Sequence, residues 1–186
     1  MARLPTPEVG LSDGVVLLRP WRESDVPQMV DACQDPEIPL WTAVADPYTE
    51  ADARSWVRGE IGAGEPPGDR VSFAAAEPDD DTRLIAAMSI QRIFRGQSGE
   101  IGYWTAPWAR GRGVMTRAVR LLSSWSFREF DLRRIELVIA VENVGSNRVA
   151  EKAGFTKEGV LRQYRENKGI WRDHYMWSLL RDEICV

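Results

Sequence analysis

The stretch Glu100–Thr116, EIGYWTAPWARGRGVMT, decides how the chain is read. Glu100 to Thr105 alternates in the manner of a strand and is stopped by Pro107. A loop with two glycines follows and runs straight into a segment with apolar residues at Val114, Ala118, Leu121, Leu122 and Trp125, the spacing of an amphipathic helix over Val114 to Glu129. The first N–H groups of a helix have no intrahelical partner, and with the helix dipole they make a place for an anion. Gly111 and Gly113 let the backbone bend and phosphate oxygens approach, and Arg110 and Arg112 add positive charge. The alternative is a loop with solvated arginines ahead of an ordinary helix. The segment is neither a GxxxxGK[ST] loop nor a GxGxxG fingerprint.

Outward from this stretch the pattern is regular. On the N-terminal side, Gly14 to Pro20 reads as a first strand. Ser24 is expected to cap a helix running to about Cys33 with Pro27 in its first turn, and Thr49 to cap a second, TEADARSWVRGE. Gly62 to Asp69 reads as a Gly/Pro loop. Strands are expected over Val71 to Ala76 and Leu84 to Ile93, making an antiparallel meander with Glu100 to Thr105. On the C-terminal side, Arg134 to Val141 (RIELVIAV) suits a strand buried on both faces. Asn143 to Ala153 reads as a helix closed by Gly154, and Glu158 to Tyr164 and Asp173 to Leu180 as a closing strand pair. The order β-α-α-β-β-β-α-β-α-β-β implies one α+β domain over the whole of residues 1–186, with a core from about 15 to 183, on a mixed, twisted sheet flanked by helices.

Composition narrows the function classes. The chain has 186 residues, 44% of them hydrophobic, and a net charge of −4, which suits one globular domain and gives no electrostatic reason for a nucleic-acid partner. Its N-terminus, MARLPTPEVG, lacks the apolar stretch of a signal peptide, and no apolar run approaches the length of a membrane span. Cys33 and Cys185 form no CxxC and read as reduced thiols, so a cytoplasmic protein is expected. His174 is the single histidine; without paired partners it supports neither a nucleophilic triad nor a metal site.

Arg110-Gly111-Arg112-Gly113-Val114-Met115 resembles the [Q/R]-x-x-G-x-[G/A] pyrophosphate loop of the GNAT N-acyltransferase superfamily, departing from it at Met115. LRPWRESDV (Leu18 to Val26), DPEIPLW (Asp35 to Trp41), EIGYW (Glu100 to Trp104), VENVGSNRVAEKAGF (Val141 to Phe155) and GIWRDHYMWSLLRDE (Gly169 to Glu183) resemble its ribosomal-protein N-terminal acetyltransferase (RimJ/RimL-like) group in the same order. The resemblance implies a sheet that splays between the EIGYWT and RIELVIAV strands, and acetyl-CoA as acyl donor without a metal. The pantetheine arm would pair with the backbone of Tyr103, Trp104 and Thr105 and with Asn143. The pyrophosphate would lie on Arg110, Gly111, Arg112, Gly113, Val114, Met115 and Thr116, and Ser146 would stand near the thiol. The partners implied are an acyl-CoA and an amine acceptor, a peptide N-terminus or small molecule, with neither nucleic acid nor membrane; a homodimer is left open.

For the reaction, Glu100 is the candidate base and Ser146 a second catalytic candidate, while Trp41, Trp104 and Asp173 are candidates for holding the amine, the indoles by cation–π contact. The helix residue where relatives carry a general-acid Tyr is Ala150, and a strand Glu used by some is Val138. A site with few proton-transfer groups favours an α-amine. About a tenth of such an amine is neutral at pH 7, against roughly one lysine amine in 2,500. A succinyl-CoA transferase and a coenzyme A sensor without turnover remain open alternatives.

Overall fold

The computed structural model describes residues 10–61 and 70–184; the Gly62 to Asp69 loop and Cys185 lie outside the described residues. An eight-stranded sheet forms from β1 (Leu11–Ser12), β2 (Leu17–Arg19), β3 (Val71–Glu77), β4 (Asp80–Phe94), β5 (Ser98–Thr105), β6 (Arg134–Ala140), β7 (Thr156–Asn167) and β8 (Ile170–Leu180), in the spatial order β1-β2-β3-β4-β5-β6-β8-β7. Every neighbouring pair is antiparallel except β5 with β6. The helices are α1 (Val26–Cys33), α2 (Glu37–Trp41), α3 (Glu50–Ile61), α4 (Val114–Glu129) and α5 (Val144–Ala153). This is the α+β arrangement that the alternating segments imply.

Two cores lie on opposite faces of the sheet. One face takes α4 and α5: Val119 and Leu122 pack with Phe73, Ile85, Ile135 and Leu137, and Trp125 stands edge-on to Phe73 and Phe130 at 5.5 and 5.2 Å between ring centres. The other face takes α1, α2 and α3 through Val26, Met29, Ile38, Ala53 and Val57, packed on Leu84, Ala87 and Trp104. Alternation along β5 sends Ile101 and Tyr103 to the α4 side and Trp104 to the α1 side. The helix α4 has the bounds its apolar period gives, and α5 starts and stops at Asn143 and Gly154 as expected, Gly154 taking φ 97°.

Three local expectations change. Ser24 does not cap the first helix. A 3₁₀ turn, Glu23–Asp25, precedes α1, and the Asp25 carboxylate takes the Arg22 N–H at 2.8 Å while pairing with Arg19 at 2.6 and 2.9 Å. A buried carboxylate that neutralises a buried arginine outcompetes a hydroxyl for that position. Trp41 ends a five-residue helix, α2, rather than sitting in a loop. Pro36 and Pro39 fit there because a first helical turn uses no N–H from them. The first strand is short, Leu17–Arg19, and a further strand, Leu11–Ser12, folds back on it through Asp13, whose carboxylate takes the Val15 and Val16 N–H groups. Thr49 does cap α3: its Oγ1 accepts from Asp52 N, and the Asp52 carboxylate returns the bond to Thr49 N at 2.9 Å.

Candidate active site

The parallel pairing of β5 with β6 covers only Ser98–Arg134, Gly99–Ile135 and Glu100–Glu136. Beyond it β5 continues to Thr105 on the edge of β4, and β6 continues to Ala140 on the edge of β8. The two strands therefore part after Glu100, and the edge of β5 from Gly102 to Thr105 faces a wedge rather than a strand. A strand edge carries N–H and C=O groups that need partners. The wedge is crossed by one side chain contact from Tyr103, whose hydroxyl donates to the carbonyl of Ser146 at 3.4 Å. Burial pushes the Tyr103 phenol up, against the weaker pull of that bond, so it stays protonated and keeps donating.

The loop after β5 opens onto the same wedge. A 3₁₀ turn, Pro107–Ala109, is followed by Gly111 and Gly113 at φ 73° and 75°, and Gly113 is the residue before α4. That left-handed backbone is the reason glycine stands at both positions. No side chain caps α4. Its first intrahelical bond is Arg117 N to the Gly113 carbonyl at 3.3 Å, so the amides of Val114, Met115 and Thr116 have no acceptor within the helix. The side chains of Val114 and Met115 are buried in the α4-side core, so only their backbone amides face the loop's open side. The two loop arginines are engaged with protein carboxylates. Arg110 pairs with Asp35 at 2.9 Å and Glu37 at 3.2 Å, and Arg112 with Glu77 at 2.6 Å. Burial raises the Asp35 carboxyl, but the bonds from Arg110 and from the Glu37 amide leave it below its ordinary value. Arg110 thus ties the loop to α2, and a phosphate would meet a guanidinium already shared.

Across the wedge, Asn143 caps α5 by accepting the Ser146 N–H at 3.0 Å. Ser146 is held at both its main-chain groups, while its hydroxyl is half-buried at the mouth. The residue that sequence reasoning passed over is Asn147. Its amide donates to the carbonyls of Ala140 at 3.0 Å and Asn143 at 2.9 Å and accepts from Trp177 Nε1 at 2.9 Å, joining β6, α5 and β8. An Asn one helical turn after the Asn143 cap is the only signal the sequence offers for it.

Glu100 lies under the wedge on the α1 side, 5% exposed. It is neither a solvated strand end nor a free base. Arg165 clamps both oxygens at 3.0 and 2.7 Å, Arg92 adds a bond at 3.1 Å, and Gln91 one at 3.4 Å. A carboxylate has about four lone-pair positions, and here they are taken. Burial works most strongly against the Arg165 charge, and the bond and charge of Glu100 together with Tyr164 outweigh it. The hairpin of β7 and β8 carries Arg165 over this face and fastens its tip to α2: Asn167 donates to Pro39 and Leu40, and Lys168 to Pro39 and Val44. Trp41 stands at that junction with the Arg172 guanidinium 5.3 Å from its ring centre, so its cation–π face already has a cation. The Trp104 indole is buried in the α1-side core. Asp173 accepts the Gln163 N–H at 2.8 Å and orders the hairpin. Burial lowers His174 below its ordinary value, and the Cys33 thiol is pushed by burial up to about 12, so neither is an activated nucleophile pair. Among the described residues no group of three His, Cys, Asp or Glu is placed to hold a metal ion, and no helix is long and apolar enough to cross a membrane.

A wedge between parallel strands beside an uncapped helix start is the geometry expected from the resemblance. A family model described as an acetyltransferase (GNAT) domain matches residues 16–156. The chain belongs to the GNAT acetyltransferase family. Among curated relatives of this GNAT chain, the ribosomal-protein-serine acetyltransferase of Escherichia coli is 32% identical over 135 residues, 72% of this chain and 73% of the relative. "Probable N-acetyltransferase YjcK" of Bacillus subtilis is 43% identical over 105 residues, 55% of this chain and 58% of its own length. The chain thus spans little more than half of the first curated relatives it matches. Among solved structures, Mycobacterium smegmatis RimJ in complex with a CoA disulfide superposes with a TM-score of 0.79 at 26% identity, covering 94% of this chain and 86% of that one. An acetyltransferase of the GNAT family from Bacillus anthracis shares the fold with a TM-score of 0.82 at 22% identity, covering 94% of this chain and 99% of that one. The RimJ/RimL-like relationship is therefore found in sequence relatives and in structure.

Proposed function

We propose that this GNAT protein transfers an acetyl group from acetyl-CoA to a primary amine, by direct attack in a ternary complex, with a peptide or protein N-terminal α-amine as the acceptor. The observation that carries the reading is the parting of β5 from β6 after Glu100, directly beside the uncapped start of α4. A pantetheine arm carries two amides at strand-like spacing and meets the unpaired edge of Tyr103, Trp104 and Thr105. Its diphosphate then reaches the amides of Gly111 to Thr116, where the helix dipole favours negative charge. The amine nitrogen attacks the thioester carbonyl, whose developing oxyanion lies against backbone N–H groups at the end of β5; such donors contribute several kcal/mol in enzymes of this type, on the order of 3. The carbon–sulfur bond then breaks, and the thiolate leaves with coenzyme A and takes its proton from water, the Ser146 hydroxyl being the candidate hydrogen-bond donor to it.

Glu100 has its lone pairs filled, so we assign it to holding Arg165 rather than to taking the amine proton; that proton leaves to water. An acceptor with a substantial neutral fraction at pH 7 follows, which is the α-amine rather than the lysine amine. The names of the relatives support the same class. The test is acetyl-CoA or succinyl-CoA with a peptide and with its N-terminally blocked, lysine-containing counterpart, read by mass spectrometry. Acetyl transfer to the free N-terminus alone is expected. Equal rates on both peptides would remove the α-amine assignment, and coenzyme A binding with no transfer to any amine would leave a sensor instead of an enzyme.

A further inference from the structure

The face of the wedge where an acceptor would enter is electropositive, although the chain as a whole carries −4. Two guanidinium groups, Arg165 and Arg92, share the one carboxylate of Glu100, which leaves one positive charge over. Arg172 adds another. Its guanidinium makes no hydrogen bond and no ion pair among the described residues, lies against the Trp41 ring at 5.3 Å, and has an Nε shut off from solvent without an acceptor. Buried donors in folded proteins have partners, and arginine is the residue best shaped to take a carboxylate or phosphate in two parallel bonds.

The nearby carboxylates do not answer this charge. Glu136 and Glu158 are both committed to Arg134. Asp173 follows Arg172 directly and so points to the opposite side of the strand, where it holds the Gln163 amide. Glu166 is held by the Gly169 amide. The one imidazole in the region, His174, is held below its ordinary value first by burial and then by the charge of Arg165, with a smaller push from Arg172, against the bond with the Arg172 carbonyl and the charge of Glu142.

We infer that Arg172, seated on Trp41 and backed by Arg165, holds an anionic group of the acceptor, a carboxylate or phosphate carried on a residue near the amine that is acetylated. This rests on the acetyltransferase reading above and narrows it to acidic N-terminal peptides. The tip of the β7–β8 hairpin pinned to α2 fixes the distance between Arg172 and the wedge, so the position of the anion along the peptide should matter.

The experiment uses the full chain with acetyl-CoA and a set of peptides differing only at residues two to four: Asp or Glu, the isosteric Asn or Gln, Lys, and phosphoserine. The readouts are kcat/KM by mass spectrometry and peptide affinity by calorimetry with coenzyme A present. The acidic forms should exceed their amide isosteres by about tenfold or more at low salt, with the gain mostly in KM. The phosphoserine arm tells carboxylate from phosphate, and preference for either supports the inference. That preference ratio should collapse in Arg172→Gln, survive in part in Arg172→Lys, and turn toward the Lys peptide in Arg172→Glu. A ratio near one in the unaltered protein, which needs no variant to fold, overturns the inference, as does an undiminished ratio in Arg172→Gln. Acetylation of all forms at equal rates would sink only this inference. Acidic preference in calorimetry without any turnover would uphold it while removing the acetyltransferase reading.

Discussion

The two walls of the wedge are built in opposite ways. On the β6 side, α5 begins under the Asn143 cap, Asn147 ties helix to strands, and Arg134 locks Glu136 to Glu158 with Ser178 donating to the same carboxylate. On the β5 side, α4 begins at a left-handed glycine with no side chain on its open amides, and the strand edge ahead of it has no partner strand. The polar side chains named in the first wall are answered from within the chain, and the open amides of the second have no side-chain partner. Under the proposed function, stability is concentrated in one wall and binding in the other, as expected of a rigid site that keeps groups free for its substrate.

That contrast can be broken most severely at Gly113. Asp tolerates the left-handed backbone better than most residues, and the space around Gly113 is open, so Gly113→Asp should fold. It sets a carboxylate where the diphosphate is proposed to lie, and coenzyme A affinity in calorimetry should fall by at least about 100-fold, some 2.7 kcal/mol. An affinity within a few-fold of the unaltered protein would mean that the open helix start is not the anion site. On the other wall, Asn147→Ala strands the Trp177 N–H and removes the second donor from the carbonyls of Ala140 and Asn143; denaturant unfolding should show a loss of about 2 kcal/mol, and affinity for coenzyme A should fall far less than with Gly113→Asp. Asn143→Ala uncaps α5 and should cost about 1 kcal/mol. If it lowers coenzyme A affinity as much as stability, Asn143 serves both walls.

The smallest effect belongs to Glu158. Hydrogen bonds from Arg134 and Ser178 hold its carboxyl at about 2, below the ordinary 4.5. A carboxyl lowered on folding adds stability that is fully present above the ordinary value and is lost as pH falls through the folded one. The Glu158 side chain is 42% exposed, so screening keeps the pair to about 0.5 kcal/mol. Unfolding of Glu158→Gln beside the unaltered protein should differ by that amount at pH 7 and converge between about pH 4.5 and 2.

What could be read ahead of the structure follows the range of the forces involved. The bounds of α4, the Asn143 and Gly154 ends of α5, and the Thr49 cap depend on neighbours three or four residues away, so the local order of amino acids settles them. The short helix α2 is harder to read, because a residue that breaks a helix interior is harmless in a first turn. Gly111 and Gly113 are legible as a backbone bend ahead of a helix. That their neighbours Arg110 and Arg112 spend their charge on Asp35, Glu37 and Glu77 was not, since those partners lie far along the chain.

The amino-acid order alone determined the succession of strands and helices, the family pattern, and the glycine loop ahead of a helix, because each is set by periodicity or by backbone freedom within a few residues. Only the folded sheet decided that β5 and β6 part after Glu100, that Glu100 is clamped by Arg165 from 65 residues away, and that Arg172 is left against Trp41 without a counter-charge. Strand pairing and charge neutralisation are contacts between distant segments, and their partners exist only once the chain has closed on itself.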